Sequence, residues 1–130
     1  MTRECACASI DVDRASELLV VGGSSNPSDA PWGELRRCPR CPTYFRYTRD
    51  HDNEIGYVED PPTLDRLDAD GALRLAKEAL VAARRLEAHF AAGTTEFAVR
   101  AAEAYAAEIQ RLEAAVAELG GRSDQSPGRT

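Results

Sequence analysis

Two cysteine pairs constrain this chain more than any other feature. Cys5-Ala-Cys7 lies near the N-terminus, and Cys38-Pro-Arg-Cys41 follows after thirty intervening residues. A tetrahedral thiolate site needs four sulfurs converging at about 2.3 Å from the ion. Two residues between cysteines let both thiolates turn inward on a tight loop whose amides donate to sulfur. A one-residue spacing can supply two more ligands, and the thirty-residue connection is long enough to fold back. The pattern predicts a zinc site with Cys5, Cys7, Cys38 and Cys41 as ligands, His51 being a substitute for one of the terminal pair. Zinc is preferred to iron because nothing else in the sequence suggests electron transfer. Four thiolates leave no coordination position open, so the expected role of the metal is structural, and it can supply much of a small domain's folding energy.

Composition agrees with metal ligation rather than disulfides. The N-terminal MTRECACASIDVDR carries acids and lacks the apolar segment of a signal peptide. No apolar run approaches the roughly 18 to 20 residues needed to cross a bilayer. The expected compartment is cytoplasmic, where thiols stay reduced. Fifteen arginines against one lysine, with abundant alanine, suggest a GC-rich bacterial genome. The net charge of -6 argues against binding nucleic acid over the whole surface.

Three regions separate by composition: a cysteine-, glycine- and proline-rich module over 1–60, a helix-forming region over 61–119, and a polar tail over 120–130 expected to be disordered. In the first, Asp13 or Ser16 starts a short helix or strand through SELLVV that Gly22-Gly23 would end, and SSNPSDAPWG reads as a loop. Thr43 to Arg49 alternates aromatic and polar residues as a strand. Ile55 to Val58 reads as a second strand, with DHDNE as the hairpin turn and Pro61-Pro62 closing the module. In the second region, Leu73, Ala76, Leu80, Ala83, Leu86 or Glu87, and Phe90 recur at helical spacing from a start at Asp68 or Asp70 to a stop at Gly93. Thr94 or Thr95 caps a second helix whose Phe97, Ala101, Tyr105, Ile109, Leu112, Val116 and Leu119 form one stripe, ended by Gly120-Gly121. The short AAGTT connection makes the helices antiparallel. The expected fold is α+β, a small zinc-stapled β-hairpin followed by an α-helical hairpin.

Around Cys38, Pro39, Cys41 and the strand Thr43 to Arg49, the chain resembles the knuckle of zinc-ribbon and rubredoxin-like proteins, with its CPxCG signature and following aromatic strand. The resemblance covers roughly fifteen residues and implies a structural zinc held partly by Cys38 and Cys41. Pro42 stands where those families favour glycine, and proline fixes φ near -65°, so the usual left-handed backbone is not expected there. The CxC and CxxC pairs also resemble those of redox-regulated heat-shock chaperones, which would imply zinc release on oxidation.

Other segments carry weaker chemistry. Five arginines and one acid lie between Gly33 and Arg49, with Trp32, Tyr44, Phe45 and Tyr47 interleaved, a pattern that can bind single strands by stacking and phosphate contact. Five acids follow over residues 50 to 60, so internal ion pairs or protein contact is the preferred reading. DHDNEIG places its glycine one position late for a calcium loop. No GxSxG, HExxH or phosphate-cradling loop is present, His51 and His89 lack catalytic company, and no enzymatic activity is expected. The sequence reads as a non-enzymatic, cytoplasmic zinc-binding protein that contacts a protein partner or a second copy of itself, with no membrane partner. Nucleic-acid binding and redox sensing are the alternatives.

Overall fold

The computed structural model describes residues 5–25, 29, 31–49 and 62–124. Two short 3-10 helices, Ala6–Ser9 and Val12–Glu17, lead into strand β1 (Leu19–Ser24). Strands β2 (Gly33–Arg37), β3 (Tyr44–Thr48) and β4 (Thr63–Leu67) follow, then helices α1 (Ala69–Ala91) and α2 (Glu96–Asp124). The sheet is antiparallel throughout, in the order β1-β2-β3-β4. The expected α+β class and C-terminal helical hairpin are therefore present, but the hairpin strand belongs to a four-stranded sheet.

Side-chain alternation along the strands builds a core on each face. On one face Val21, Leu35 and Tyr44 meet Ala72, Ala76, Ala79 and Leu80 of α1 and Leu112, Ala115 and Leu119 of α2. On the other, Phe45, the neighbour of Tyr44, points the opposite way and joins Leu18, Cys7 and Cys38, with Leu64 and Ile10 packed against them. The sheet thus lies between a helical layer and a thin layer of the N-terminal segment, with Cys38 and Cys41 of the β2–β3 connection packed against it. Alanine in the helical seam lets backbones approach closely. Gly22 carries this furthest, since a Cβ there would lie 2.8 Å from Leu112 Cδ1.

The helix ends follow the expected chemistry. The Asp68 carboxylate accepts from the Gly71 amide at 2.7 Å, and the Thr95 hydroxyl from the Ala98 amide at 3.0 Å. α1 stops just before Gly93, whose amide donates to the Phe90 carbonyl at 3.0 Å.

Several boundaries differ from the sequence reading. SELLVV divides into the end of a 3-10 helix and a strand, and that strand continues through Gly22 and Gly23 with a bulge between Val20 and Gly22. Residues 33–37 form a strand that alternation did not suggest, because its arginines are paired. β4 occupies 63–67, in the segment read as helical, where only two of five residues are apolar. The strand read at Ile55 to Val58, the DHDNE turn and His51 lie outside the described residues. α2 runs past Gly120-Gly121 to Asp124, since a glycine pair costs a helix only about 1–2 kcal/mol and fully buried Leu119 anchors the preceding turn. Phe97 leaves the stripe: it is 73% exposed at the hairpin tip and meets Phe90 edge-on. No helix among the described residues is long and apolar enough to cross a membrane.

Candidate metal centre

The 3-10 turn after Cys5 brings both residues of the first pair to one side. Its carbonyls at Cys5 and Cys7 accept from the amides of Ala8 at 2.9 Å and Ile10 at 3.1 Å. The second pair sits on the connection between β2 and β3. There the Cys38 amide donates to the Thr43 carbonyl at 2.9 Å and closes the loop. The Arg40 amide donates to Cys38 Sγ at 3.4 Å, the kind of amide-to-sulfur bond expected of this spacing. No non-glycine residue among those described has positive φ, so the loop turns at Pro42 without a left-handed residue.

These two elements bring all four sulfurs together. Every Sγ of Cys5, Cys7, Cys38 and Cys41 lies within 4.8 Å of the other three. Cys5 and Cys38 are 3.6 Å apart, and Cys7 and Cys41 3.5 Å. A regular tetrahedron with metal–sulfur bonds of about 2.3 Å has edges of about 3.8 Å, so the cluster can hold a metal ion with little rearrangement. These separations also far exceed a disulfide bond of about 2.05 Å, and all four cysteines are free.

The surroundings sort the thiols. Burial, with hydrogen bonds to the other three thiols, pushes Cys7 up to about 12. Burial raises Cys41 too, but hydrogen bonds from Thr43 and the three thiols outweigh it and bring Cys41 down to about 6. Cys41 Sγ lies 3.2 Å from Thr43 Oγ1, and the hydroxyl donates once the sulfur is a thiolate. These donors favour the thiolate form at Cys41, the form that binds cations. A divalent ion on four thiolates has a net charge of about -2, and Arg14 and Arg40 line the recess beside the sulfurs. That recess holds about 60 Å³, also bounded by Glu17, which pairs with Arg14 at 2.6 Å.

The arginine-rich strands are occupied internally. Arg36 binds Glu34 at 2.6 Å and the Ala15 carbonyl at 2.7 Å, and its guanidinium lies 4.2 Å from the Tyr47 ring centroid. Arg46 donates to the Trp32 carbonyl at 2.9 Å and faces the Trp32 ring. Arg37 donates to both carboxylate oxygens of Glu118 at 2.9 Å each, and Tyr44 donates to Oε1 of the same carboxylate at 2.5 Å. Burial, with Glu118 opposite, pushes the Tyr44 hydroxyl up to about 12. The cysteines are legible in the sequence, whereas Glu118 is not, since a residue 81 positions from its partner leaves no spacing signal. No protein-family model, curated protein or solved structure matches the chain.

Proposed function

We propose that this chain is a non-enzymatic zinc-binding protein in which Cys5, Cys7, Cys38 and Cys41 hold a structural ion, and that its role is to bind another protein, as an adaptor, a regulatory subunit or an immunity-type inhibitor. The convergence of four sulfurs within 4.8 Å carries the metal reading. All-thiolate sets favour zinc among divalent ions of low redox activity, and they leave no position for substrate. The recess beside the sulfurs, at about 60 Å³, suits a few waters rather than a substrate. The knuckle resemblance at Cys38 to Cys41 points the same way.

Exposed apolar side chains support a protein partner. Leu86, Phe97 and Val99 lie towards the tip of the helical hairpin, and Leu19 and Val20 on β1. Nucleic-acid binding is disfavoured, because Arg36, Arg37 and Arg46 are already paired with acids, carbonyls or rings.

Metal analysis of the purified protein should give about one zinc per chain, the stoichiometry of a closed four-ligand site. Well-folded protein without metal, or retention of zinc in a Cys38→Ser, Cys41→Ser double variant, would remove the metal reading. Copurification followed by reconstitution with the purified partner tests the binding role, and Phe97→Ser should weaken that complex.

A further inference from the structure

One carboxylate of α2 holds both ends of the cysteine loop. Arg37 closes β2 and Tyr44 opens β3, and the two are cross-strand partners immediately flanking residues 38–43. Glu118 receives both Arg37 bonds and the Tyr44 bond. Arg37 also donates to the carbonyl of Cys38 at 2.8 Å, the backbone of a metal-binding position. Further along the same helix, Arg111 donates to the Val21 carbonyl at 3.1 Å, and Glu108 accepts from the Gly23 amide at 3.1 Å. β1 is an edge strand, so α2 satisfies backbone groups that would otherwise face solvent or another chain.

We propose that Glu118 couples the metal centre to α2, so that metal binding closes this helix over the β1 edge. The inference rests on the metal reading above. A bidentate arginine–carboxylate pair requires fixed geometry. Four sulfurs gathered on an ion fix the spacing of the loop ends, and with it the approach of Arg37 and Tyr44 to Glu118. Release of the ion frees the loop, the three bonds lose their common geometry, and the helix loosens from β1. Coupling is reciprocal, so Glu118 is a positioning residue that also tightens metal binding.

Hydrogen exchange on the full chain tests this, comparing zinc-loaded with EDTA-treated protein for wild type and Glu118→Gln, with zinc content measured first. In wild type, chelation should speed exchange about tenfold at the Gly23 amide and in the C-terminal half of α2, within the usual range of coupling. In Glu118→Gln this metal-dependent difference should shrink to about twofold or less, and zinc affinity, read by competition with a chromophoric chelator, should fall about tenfold. Tyr44→Phe, which removes one bond and no charge, should shift both readouts the same way by less, and it carries the test if Glu118→Gln does not fold. A merely structural Glu118 would speed exchange equally with and without zinc; that result, or a wild-type α2 indifferent to chelation, overturns the coupling. Zinc bound without coupling overturns this inference alone, whereas a chain that binds no zinc overturns the metal reading with it.

Discussion

Glu108 is held between a favourable backbone partner and an unfavourable setting. Burial raises its carboxyl above the usual range, Glu34 adds to this, and the Gly23 amide and Arg111 act in the opposite direction without cancelling it. The folded chain therefore holds this proton more tightly than the unfolded chain does. The group's contribution is full below the ordinary carboxylate pKa of about 4.3 and is lost as pH rises through the raised folded value. Glu108→Gln keeps an oxygen for Gly23 and removes the buried charge. Urea unfolding should find the variant more stable than wild type at neutral pH, with the difference fading in acid. A constant difference across pH would show that the charge is not the cause. Nearby, a Cβ on Gly22 would sit 2.8 Å from both Leu112 Cδ1 and Cγ and 2.9 Å from Glu108 Cγ. Gly22→Ala should cost about 1–3 kcal/mol through overpacking, read as a lowered thermal midpoint. An unchanged midpoint would mean that α2 can retreat from β1 without loss.

Elements with a strong internal pattern were legible before any coordinates, and elements made by their partners were not. The Asp68 and Thr95 caps, the Gly93 stop and the helical stripes follow from residue type and spacing. β3 is legible because its aromatics alternate with polar residues. β2 is not, because its sequence GELRR becomes strand-compatible only when Glu34, the Ala15 carbonyl and Glu118 satisfy its arginines. β4 reads TLDRL, with Asp65 and Arg66 on an edge strand, where charge discourages pairing with other chains. The convergence of the four cysteines was visible in their spacing, while the α2 residue that grips the loop was not. The end of α2 shows local propensity being overridden: Gly120-Gly121 looks like a stop, yet the helix passes through. A Cβ at Gly121 would meet nothing within 4 Å, so Gly121→Ala should stabilise the protein by about 0.5–1 kcal/mol. The urea midpoint measures this, and a neutral or destabilising result would place the helix end before residue 121.

At the scale of the whole molecule, the sheet separates two cores, and on the proposed metal reading they depend differently on the ion. The helical core, centred on fully buried Leu35, Leu112 and Leu119, contains no cysteine. The opposite core includes the proposed ligands, with Cys7 and Cys38 beside Leu18 and Phe45. Without an ion, that second layer retains few large apolar side chains to offset the entropy of ordering the N-terminal segment, about 1–2 kcal/mol for each backbone residue. Chelation should therefore release residues 5–18 and the 38–43 loop first, while α1 stays packed on β2 and β3. Circular dichroism should retain most of its helical signal after chelation, and limited proteolysis should cut near the N-terminal cysteines well before α1. The thermal midpoint should also fall, because metal that binds only the folded chain adds its binding free energy to stability. Collapse of the helical signal on chelation would show instead that both faces of the sheet fold as one cooperative unit.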